Sequence, residues 1–284
     1  MHLLLALTLL QDLDHDGLDD RLEQQLIERF IPSFMTSADE CDVAPAAFVP
    51  DSPVPTLAAR DGTIYAQAFP AASPDSPDQQ VEIHYFHLWS KDCGRRGHEL
   101  DVEHVSGLVR KERDEWVATF WYAAAHEKTV CEQSSGAHAA TLGAEHRGPR
   151  VFVSLGKHAS FFSQAQCRAG CGGDECGNSR LAVRAVVNIG ERGAPLNGAV
   201  WTGSNRWPLN EKLASDFAPD LRAKLDRAAS TRKIVTIAAP PAGQAPVLAA
   251  DAALEALIAA RQSAGSALRT AGRSVSRFLQ RGQR

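Results

Sequence analysis

Four residues with metal-binding side chains lie close together near position 100 of the 284-residue chain. Asp92, His98, Asp101 and Glu103 all fall within the stretch VEIHYFHLWSKDCGRRGHELDVEHVSGLV. Side chains alternate between the two faces of a strand, so Asp101 and Glu103 project from the same face. Carboxylates among apolar neighbours are costly to bury without a compensating charge. The pattern therefore predicts one metal ion that is held by these four residues.

The types of ligand narrow the choice of metal. Three carboxylates and one imidazole form a hard, oxygen-rich set, which favours calcium, magnesium or manganese over a structural zinc. A zinc ion with open coordination positions also uses histidine and carboxylate ligands, so zinc is the less favoured choice. The alternative to a metal site is a solvated loop whose acids pair with Arg95, Arg96 and Lys91. Spacing alone favours neither.

A second acidic segment, DLDHDGLDDRLE, matches a calcium-binding loop position by position. No helix is predicted before it, so it resembles the single-sided loops of dockerin-like and thrombospondin-type repeats rather than a full EF-hand. An acidic helix N-terminus, which the helix dipole favours, would explain the number of acids but not their spacing. We therefore expect a structural calcium ion, with Gly17 at the turn and ligands from Asp12, Asp14, Asp16, the Leu18 carbonyl, Asp20 and Glu23.

Two motifs resemble a known group of proteins. GHELDVEHV is similar to the GHRHDWE-type motif of the necrosis- and ethylene-inducing-peptide-like proteins, with His98, Asp101 and Glu103 at the matching places and Asp92 upstream. VFVSLGKHASFF, which contains His158 and Ser160, resembles a segment of the related vacuolar-sorting-protein-62-like group. In this chain Glu99 and Leu100 replace the usual Arg-His, and Val102 replaces Trp. By the order of its motifs, the resemblance extends from Thr63 to Trp207.

The resemblance implies a β-sandwich with a divalent metal at one end. It implies that Asp92, His98, Asp101 and Glu103 are the ligands and that His158 lies beside them or acts as a base. In the better-known branch it also implies binding to sphingolipid headgroups and membrane damage. A lipid or glycan headgroup is therefore an expected partner.

The elements that must position these residues are mainly strands. Val81–Trp89 and Leu100–Val109 are rich in β-branched and aromatic residues, and the charged, Gly-containing segment Ser90–Glu99 between them predicts a turn. Leu18, Leu22, Leu26 and Phe30 repeat at every fourth position, which predicts a helix that ends before Pro32. The expected fold is a mainly β sandwich with short peripheral helices and a C-terminal helical tail, while Ser33–Arg60 is predicted to be an irregular arm.

Four segments are expected along the chain. Residues 1–11 are apolar and could be a remnant of a signal sequence, 12–32 hold the calcium loop and helix, and 33–239 form the metal-bearing β-sandwich. Residues 240–284 begin with the linker PPAGQAP and continue as a basic helical tail. Gly265 and Gly272 weaken the predicted helix of that tail and favour a solvated, partly disordered segment. The alternative is a segment attracted to anionic membranes through arginines at every fourth position: Arg269, Arg273, Arg277 and Arg281.

Cysteine usage and charge limit the function classes. Six cysteines, an even number, favour three disulfides in an exported protein, and their 15 possible pairings leave the connectivity open. A bridge at Cys93 would fix the turn that carries Asp92. A net charge of −4 gives no reason to expect nucleic acid as a partner. The candidates for disulfide bonds are Cys41, Cys93, Cys131, Cys167, Cys171 and Cys176.

Three functions fit these features. The first is an exported module that binds a lipid or glycan headgroup at the metal. The second is a metal-dependent hydrolase in which the ion activates water and His158 or His126 accepts a proton. The third is a scaffold that metal and disulfides stiffen. The sequence contains no nucleophile elbow, P-loop or dinucleotide motif, which favours binding over catalysis.

Overall fold

A computed structural model describes residues 11–71, 79–94, 97–127, 129, 131–170, 173–191, 193–197 and 234–236. Among these residues there are three helices: α1 (Asp20–Arg29), α2 (Ala139–Leu142) and α3 (Gln164–Ala169). The strands in the same residues are β1 (Ser33–Thr36), β2 (Ala46–Phe48), β3 (Leu57–Arg60), β4 (Thr63–Pro70), β5 (Gln80–Lys91), β6 (Glu99–Glu112), β7 (Glu115–Ala123), β8 (Ser135–His138), β9 (Arg150–Val153), β10 (Ser160–Phe161), β11 (Ser179–Arg180), β12 (Ala185–Asn188), β13 (Gly190–Glu191), β14 (Ala194–Pro195) and β15 (Ile234–Thr236).

The strands form two main sheets. A seven-stranded sheet has the order β12-β4-β5-β6-β7-β8-β15, and a four-stranded sheet has the order β10-β9-β1-β11. Two short pairs, β13 with β14 and β2 with β3, lie beside them. Most neighbours are antiparallel, although β12 runs parallel to β4 and β1 runs parallel to β9. The mainly β fold predicted from the sequence is confirmed.

One hydrophobic core lies between the two main sheets. Ile83, Tyr85 and Trp89 of β5 belong to the same buried cluster as Phe34 of β1 and Val151 of β9. The β5 residues lie at alternate positions and therefore share one face of the large sheet. This shared core makes the two sheets a sandwich and places one face of the β5–β6 hairpin inside it.

The β5–β6 hairpin follows the predicted strands closely. Its ladder extends from Gln80 opposite Arg110 to Lys91 opposite Glu99, so both strands are longer than the sequence predicted. The apolar alternation fixes the register, because a slip by one residue would turn every core side chain to the other face. The turn between the strands is consequently held at one end of the sandwich.

Helix α1 is the amphipathic helix predicted from the leucine spacing. Asp19 caps its N-terminus by accepting a hydrogen bond from the Leu22 amide at 3.1 Å. Leu26 and Ile27 are buried, and the Tyr85 hydroxyl donates to the Ile27 carbonyl at 3.0 Å. These contacts join the N-terminal segment to the large sheet.

The prediction that Ser33–Arg60 is an irregular arm is wrong. This stretch contains β1, β2 and β3, and β1 lies in the interior of the small sheet between β9 and β11. The strands have three or four residues each, too few to show a clear alternating pattern. β1 pairs with strands distant in sequence, whereas β2 and β3 pair with each other. The prolines next to β2 and β3 led the sequence analysis to predict an irregular segment.

Contacts divide the chain into two units, Met1–Ala239 and Pro240–Arg284. All described residues belong to the first unit. The apolar residues 1–10 and the predicted basic tail, with Arg269, Arg273, Arg277 and Arg281, lie outside the described residues. Within the described part, none of the helices has the length and apolarity needed to span a membrane.

Candidate metal and ligand sites

The first candidate site, which we call the hairpin end, lies where β5 and β6 approach their turn. Asp101 is paired with Trp89 across the ladder and Glu103 with His87, so both acids share the inner face of the sheet, as strand alternation predicts. They are 7% and 8% exposed. Two acids are therefore buried side by side next to aromatic side chains.

His158 lies between Asp101 of the hairpin end and Glu40, an acid from the segment between β1 and β2. Its Nδ1 donates to Asp101 Oδ2 at 2.8 Å, and its Nε2 lies 3.4 Å from Glu40 Oε1. The ring is fully buried and stacks on Trp89, with 4.0 Å between the centroids. The sequence predicted that His158 would lie close to Asp101, but it gave no indication of Glu40.

The charge state of His158 follows from these contacts. Burial by itself lowers the pKa of the imidazole, but the hydrogen bond to Asp101 and then the Glu40 carboxylate outweigh it and raise the pKa to about 9. The ring is therefore positively charged at neutral pH. It compensates part of the negative charge of the two acids.

Asp92 and His98 lie in the turn between β5 and β6, ahead of Asp101 and Glu103 in the chain. The Asp92 amide donates to the His98 carbonyl at 2.8 Å, and Asp92 Oδ1 accepts a hydrogen bond from the Gly94 amide. His98 Nε2 is 3.8 Å from Asp92 Oδ2, and the His98 side chain is 58% exposed. Arg95 and Arg96, the alternative partners for the acids, lie outside the described residues.

The described residues do not gather the four predicted ligands into one cluster. No group of three or more potential ligand atoms within 4.8 Å in this part of the chain contains two members of the quartet. One group does join Glu40, Cys41 and His158, but the Cys41 sulfur is in a disulfide. Asp92 and His98 thus form a pair in the turn, Asp101 and Glu103 form a pair on β6, and their common metal site stays a prediction.

A disulfide and two hydrogen bonds fix the hairpin end. Cys41 is bonded to Cys93, which bridges 52 positions of the chain. The Cys93 amide donates to the Gly156 carbonyl at 2.6 Å, and the Gly156 amide donates to Glu40 Oε1 at 2.8 Å. The predicted bridge at Cys93 is confirmed, and it holds the turn against the segment that carries His158.

The other cysteines that the structure describes are also in disulfide bonds. Cys167 is bonded to Cys176, and Cys131 is also disulfide-bonded. Cys171 lies outside the described residues. None of the cysteines that the structure describes is free.

His126, the other predicted candidate for a base, has a different partner. Its Nε2 donates to Asp174 Oδ2 at 2.7 Å, and Lys157 Nζ donates to Asp174 Oδ1 at 3.1 Å. Burial raises the pKa of Asp174, but the hydrogen bond and charge of His126 and then those of Lys157 outweigh it and lower the pKa. Asp174 is therefore a buried carboxylate that two basic groups neutralise.

The second candidate site is the calcium loop, Asp12–Glu23. The acids Asp12, Asp14 and Asp20 offer ligand oxygens within 4.8 Å of one another. Gly17 has a φ of +93°, the left-handed conformation that the sixth position of such a loop requires. Its amide donates to Asp12 Oδ2 at 3.1 Å, and the Leu18 amide donates to Asp16 Oδ1 at 2.6 Å.

The acids of the calcium loop are poorly accommodated without a cation. Burial, followed by the charge of the neighbouring carboxylates, raises the pKa of Asp14 to about 7. Burial raises the pKa of Glu23 to about 8, although Asn188 donates a hydrogen bond to its Oε2 at 2.6 Å. Burial also raises the pKa of Asp16. A bound divalent ion would favour the ionised forms of all three.

Comparison with known proteins identifies structural neighbours. No family model and no curated protein matches the chain. A solved structure described as NLPPya in complex with mannosamine is 16% identical, with a TM-score of 0.34, and the match covers 72% of this chain and 90% of that one. Another, described as a toxin fold for microbial attack and plant defense, is 14% identical, with a TM-score of 0.33 and coverage of 72% and 89%. Both are distant structural neighbours of this chain.

Proposed function

We propose that the protein is an exported binding module that recognises a lipid or glycan headgroup through a divalent cation at the hairpin end. The observation that carries this proposal is the buried pair Asp101 and Glu103 on one face of β6. The turn with Asp92 and His98 lies next to this pair. Together they supply hard oxygen and imidazole donors suited to calcium, magnesium or manganese. Hydroxyl or phosphate oxygens of a headgroup are the same kind of ligand and would complete the coordination.

The contacts of His158 favour binding over hydrolysis. A general base needs a nitrogen that can accept a proton from a water molecule within hydrogen-bonding reach. Both ring nitrogens of His158 face carboxylates, and the ring is fully buried under Trp89. His126 is likewise engaged by Asp174. These contacts suit a role in holding Asp101 in position, as residues that surround metal ligands commonly do.

The disulfides support the proposed location. Disulfides persist mainly in oxidising compartments outside the cytosol. Cys41–Cys93 and Cys167–Cys176 are both formed, and the first of them holds the proposed site together. Export therefore fits the chemistry of the site as well as the cysteine content.

Calcium at the Asp12–Glu23 loop is our proposal for the structural cofactor. Its support is the convergence of Asp12, Asp14 and Asp20 and the positive φ of Gly17. The loop leads directly into α1, so a bound ion would stabilise the start of the helix. This ion and the ion at the hairpin end would have separate roles, one structural and one in recognition.

The proposed function is tested by flotation of the purified chain with vesicles and by binding to free glycans. The three probes are vesicles with a glycosylated sphingolipid, vesicles of anionic phospholipid alone, and soluble oligosaccharides. We expect binding to one probe that a chelator abolishes and that added magnesium or calcium restores. Asp101→Asn should abolish that binding, because it removes one anionic ligand.

The exposed Asp114 provides a matched control for this experiment. Asp114→Asn should bind as the unmodified chain does. Binding that persists in chelator would contradict the proposal. Esterase or phosphodiesterase activity that disappears both with chelator and with His158→Ala would replace it with the hydrolase.

A further inference from the structure

An acid from a distant part of the chain lies beside the calcium loop. Glu191 in β13 offers an oxygen within 4.8 Å of oxygens of both Asp14 and Asp16. Asp14 also belongs to the group formed with Asp12 and Asp20. The oxygens of the loop and of Glu191 are therefore neighbours, although the two segments are distant in sequence.

Several buried oxygens of the loop accept no hydrogen bond from the described residues. They comprise both oxygens of Asp14 together with Asp12 Oδ1, Asp16 Oδ2 and Glu23 Oε1. Asp14 is only 3% exposed and Glu23 is fully buried. Buried carboxylate oxygens without donors are costly unless a cation lies among them. This observation is independent of the loop's spacing and indicates a ligand.

We propose that one calcium ion is bound jointly by the Asp12–Glu23 loop and Glu191, so that calcium ties the N-terminal segment to the β12–β13 edge of the fold. The inference rests on the proposal that the loop binds calcium, and it adds a ligand that the loop motif does not contain. Calcium accepts six to eight oxygen ligands in flexible geometry, so an additional carboxylate suits it.

Neighbouring contacts hold Glu191 and Glu23 in place. Gln67 Nε2 of β4 donates to Glu191 Oε1 at 2.5 Å, and Asn188 Nδ2 of β12 donates to Glu23 Oε2 at 2.6 Å. Asn188 is itself buried, and its Oδ1 accepts from the Gly190 amide at 3.1 Å. The large sheet thus positions both Glu191 and Glu23. A calcium ion between them would connect the N-terminal loop to the edge of that sheet.

Calorimetric titration of the full chain with calcium tests the proposal. Glu191→Gln preserves the shape of the side chain and removes its charge, and we expect it to weaken calcium binding about tenfold or more, which corresponds to about 1.4 kcal/mol. Glu145→Gln, at an exposed position, is the matched control and should leave the affinity unchanged. Asp14→Asn should abolish binding at the loop.

Hydrogen exchange supplies a second readout. In the unmodified chain, calcium should slow exchange in the loop and also at Gly190 and Glu191. In Glu191→Gln it should protect the loop alone. If Glu191→Gln binds calcium with unchanged affinity and protection while Asp14→Asn loses binding at the loop, the joint site is wrong and the loop site stands. If the unmodified chain does not bind calcium at the loop, both the loop site and the joint site are wrong.

Discussion

The calcium loop and the hairpin end both concentrate acidic side chains, but they differ in the source of positive charge. In the hairpin end, His158 lies between Asp101 and Glu40, and the nearby Asp174 is held by His126 and Lys157. In the calcium loop, buried oxygens of Asp14 and Glu23 accept no hydrogen bond from the described residues. A site with its own basic group can fold before it binds a metal, whereas the loop depends on a cation from solution. Removal of metal should therefore affect stability at the loop and recognition at the hairpin end.

The largest effect is expected from removing the positive charge of the hairpin end. His158→Ala leaves Asp101 and Glu40 as buried acids without their shared partner, and loss of one member of a buried ion pair costs about 3–5 kcal/mol. Urea unfolding at neutral pH measures this loss. His146, whose side chain is 61% exposed, provides the control, and His146→Ala should change stability by less than about 0.5 kcal/mol. A similarly small change for His158→Ala would show that the charge of His158 does not stabilise the buried Asp101 and Glu40.

The next effect is the removal of calcium from the loop. At a free concentration about 100 times the dissociation constant, calcium should stabilise the fold by about 2.7 kcal/mol. Thermal unfolding in calcium and in chelator measures the difference. Asp16→Ala should abolish the shift in melting temperature, while Asp39→Ala, at a position outside the loop, should retain it. A shift that persists in Asp16→Ala would show that the stabilising ion is bound elsewhere.

A pH titration tests the neutralised acid near the hairpin end. Because the folded-state pKa of Asp174 is lowered, its ionised form contributes stability above the unfolded pKa of about 3.9, and that contribution is lost as pH falls through the folded pKa. Asp174→Asn should therefore cost about 1–3 kcal/mol at pH 7, and this difference should shrink at pH 3. The free energy of unfolding, measured at pH 7 and at pH 3, gives this cost at each pH, and Asp114→Asn at an exposed position is the control. An equal cost at pH 7 and pH 3 would mean that the charge of Asp174 does not contribute to stability.

The smallest effect concerns the backbone of the calcium loop. Gly17 has a φ of +93°, and a Cβ added there would meet no atom within 4 Å. Gly17→Ala should therefore lose only conformational energy, about 1–2 kcal/mol, and weaken calcium binding without abolishing it. A calcium titration measures the change. Gly193→Ala, which also enters open space and lacks a positive φ, should have no effect. Complete loss of binding would show that more than the turn had been disturbed.

Features with a local period were predictable from the sequence. Alternation along Val81–Trp89 and Leu100–Val109 gave the hairpin, the four-residue spacing from Leu18 to Phe30 gave α1, and the resemblance around His158 indicated its place near Asp101. The pairs in which Glu40 lies near His158, Asp174 near Lys157 and Glu191 near Asp14 were not predictable. They join distant segments through single side chains, and no periodicity or turn chemistry marks such contacts. The short strand β1 was missed for the same reason, because its partners lie in β9 and β11.

The proposed cation at the hairpin end is tested most directly by metal content in variants that separate the two sites. Mass spectrometry under native conditions counts the ions bound in the presence of calcium and magnesium. The unmodified chain should carry two ions, Asp16→Ala should keep only the hairpin ion, and Asp101→Asn should keep only the loop ion. A chain that carries one ion, lost in Asp16→Ala and unaffected by Asp101→Asn, would contradict a metal at the hairpin end.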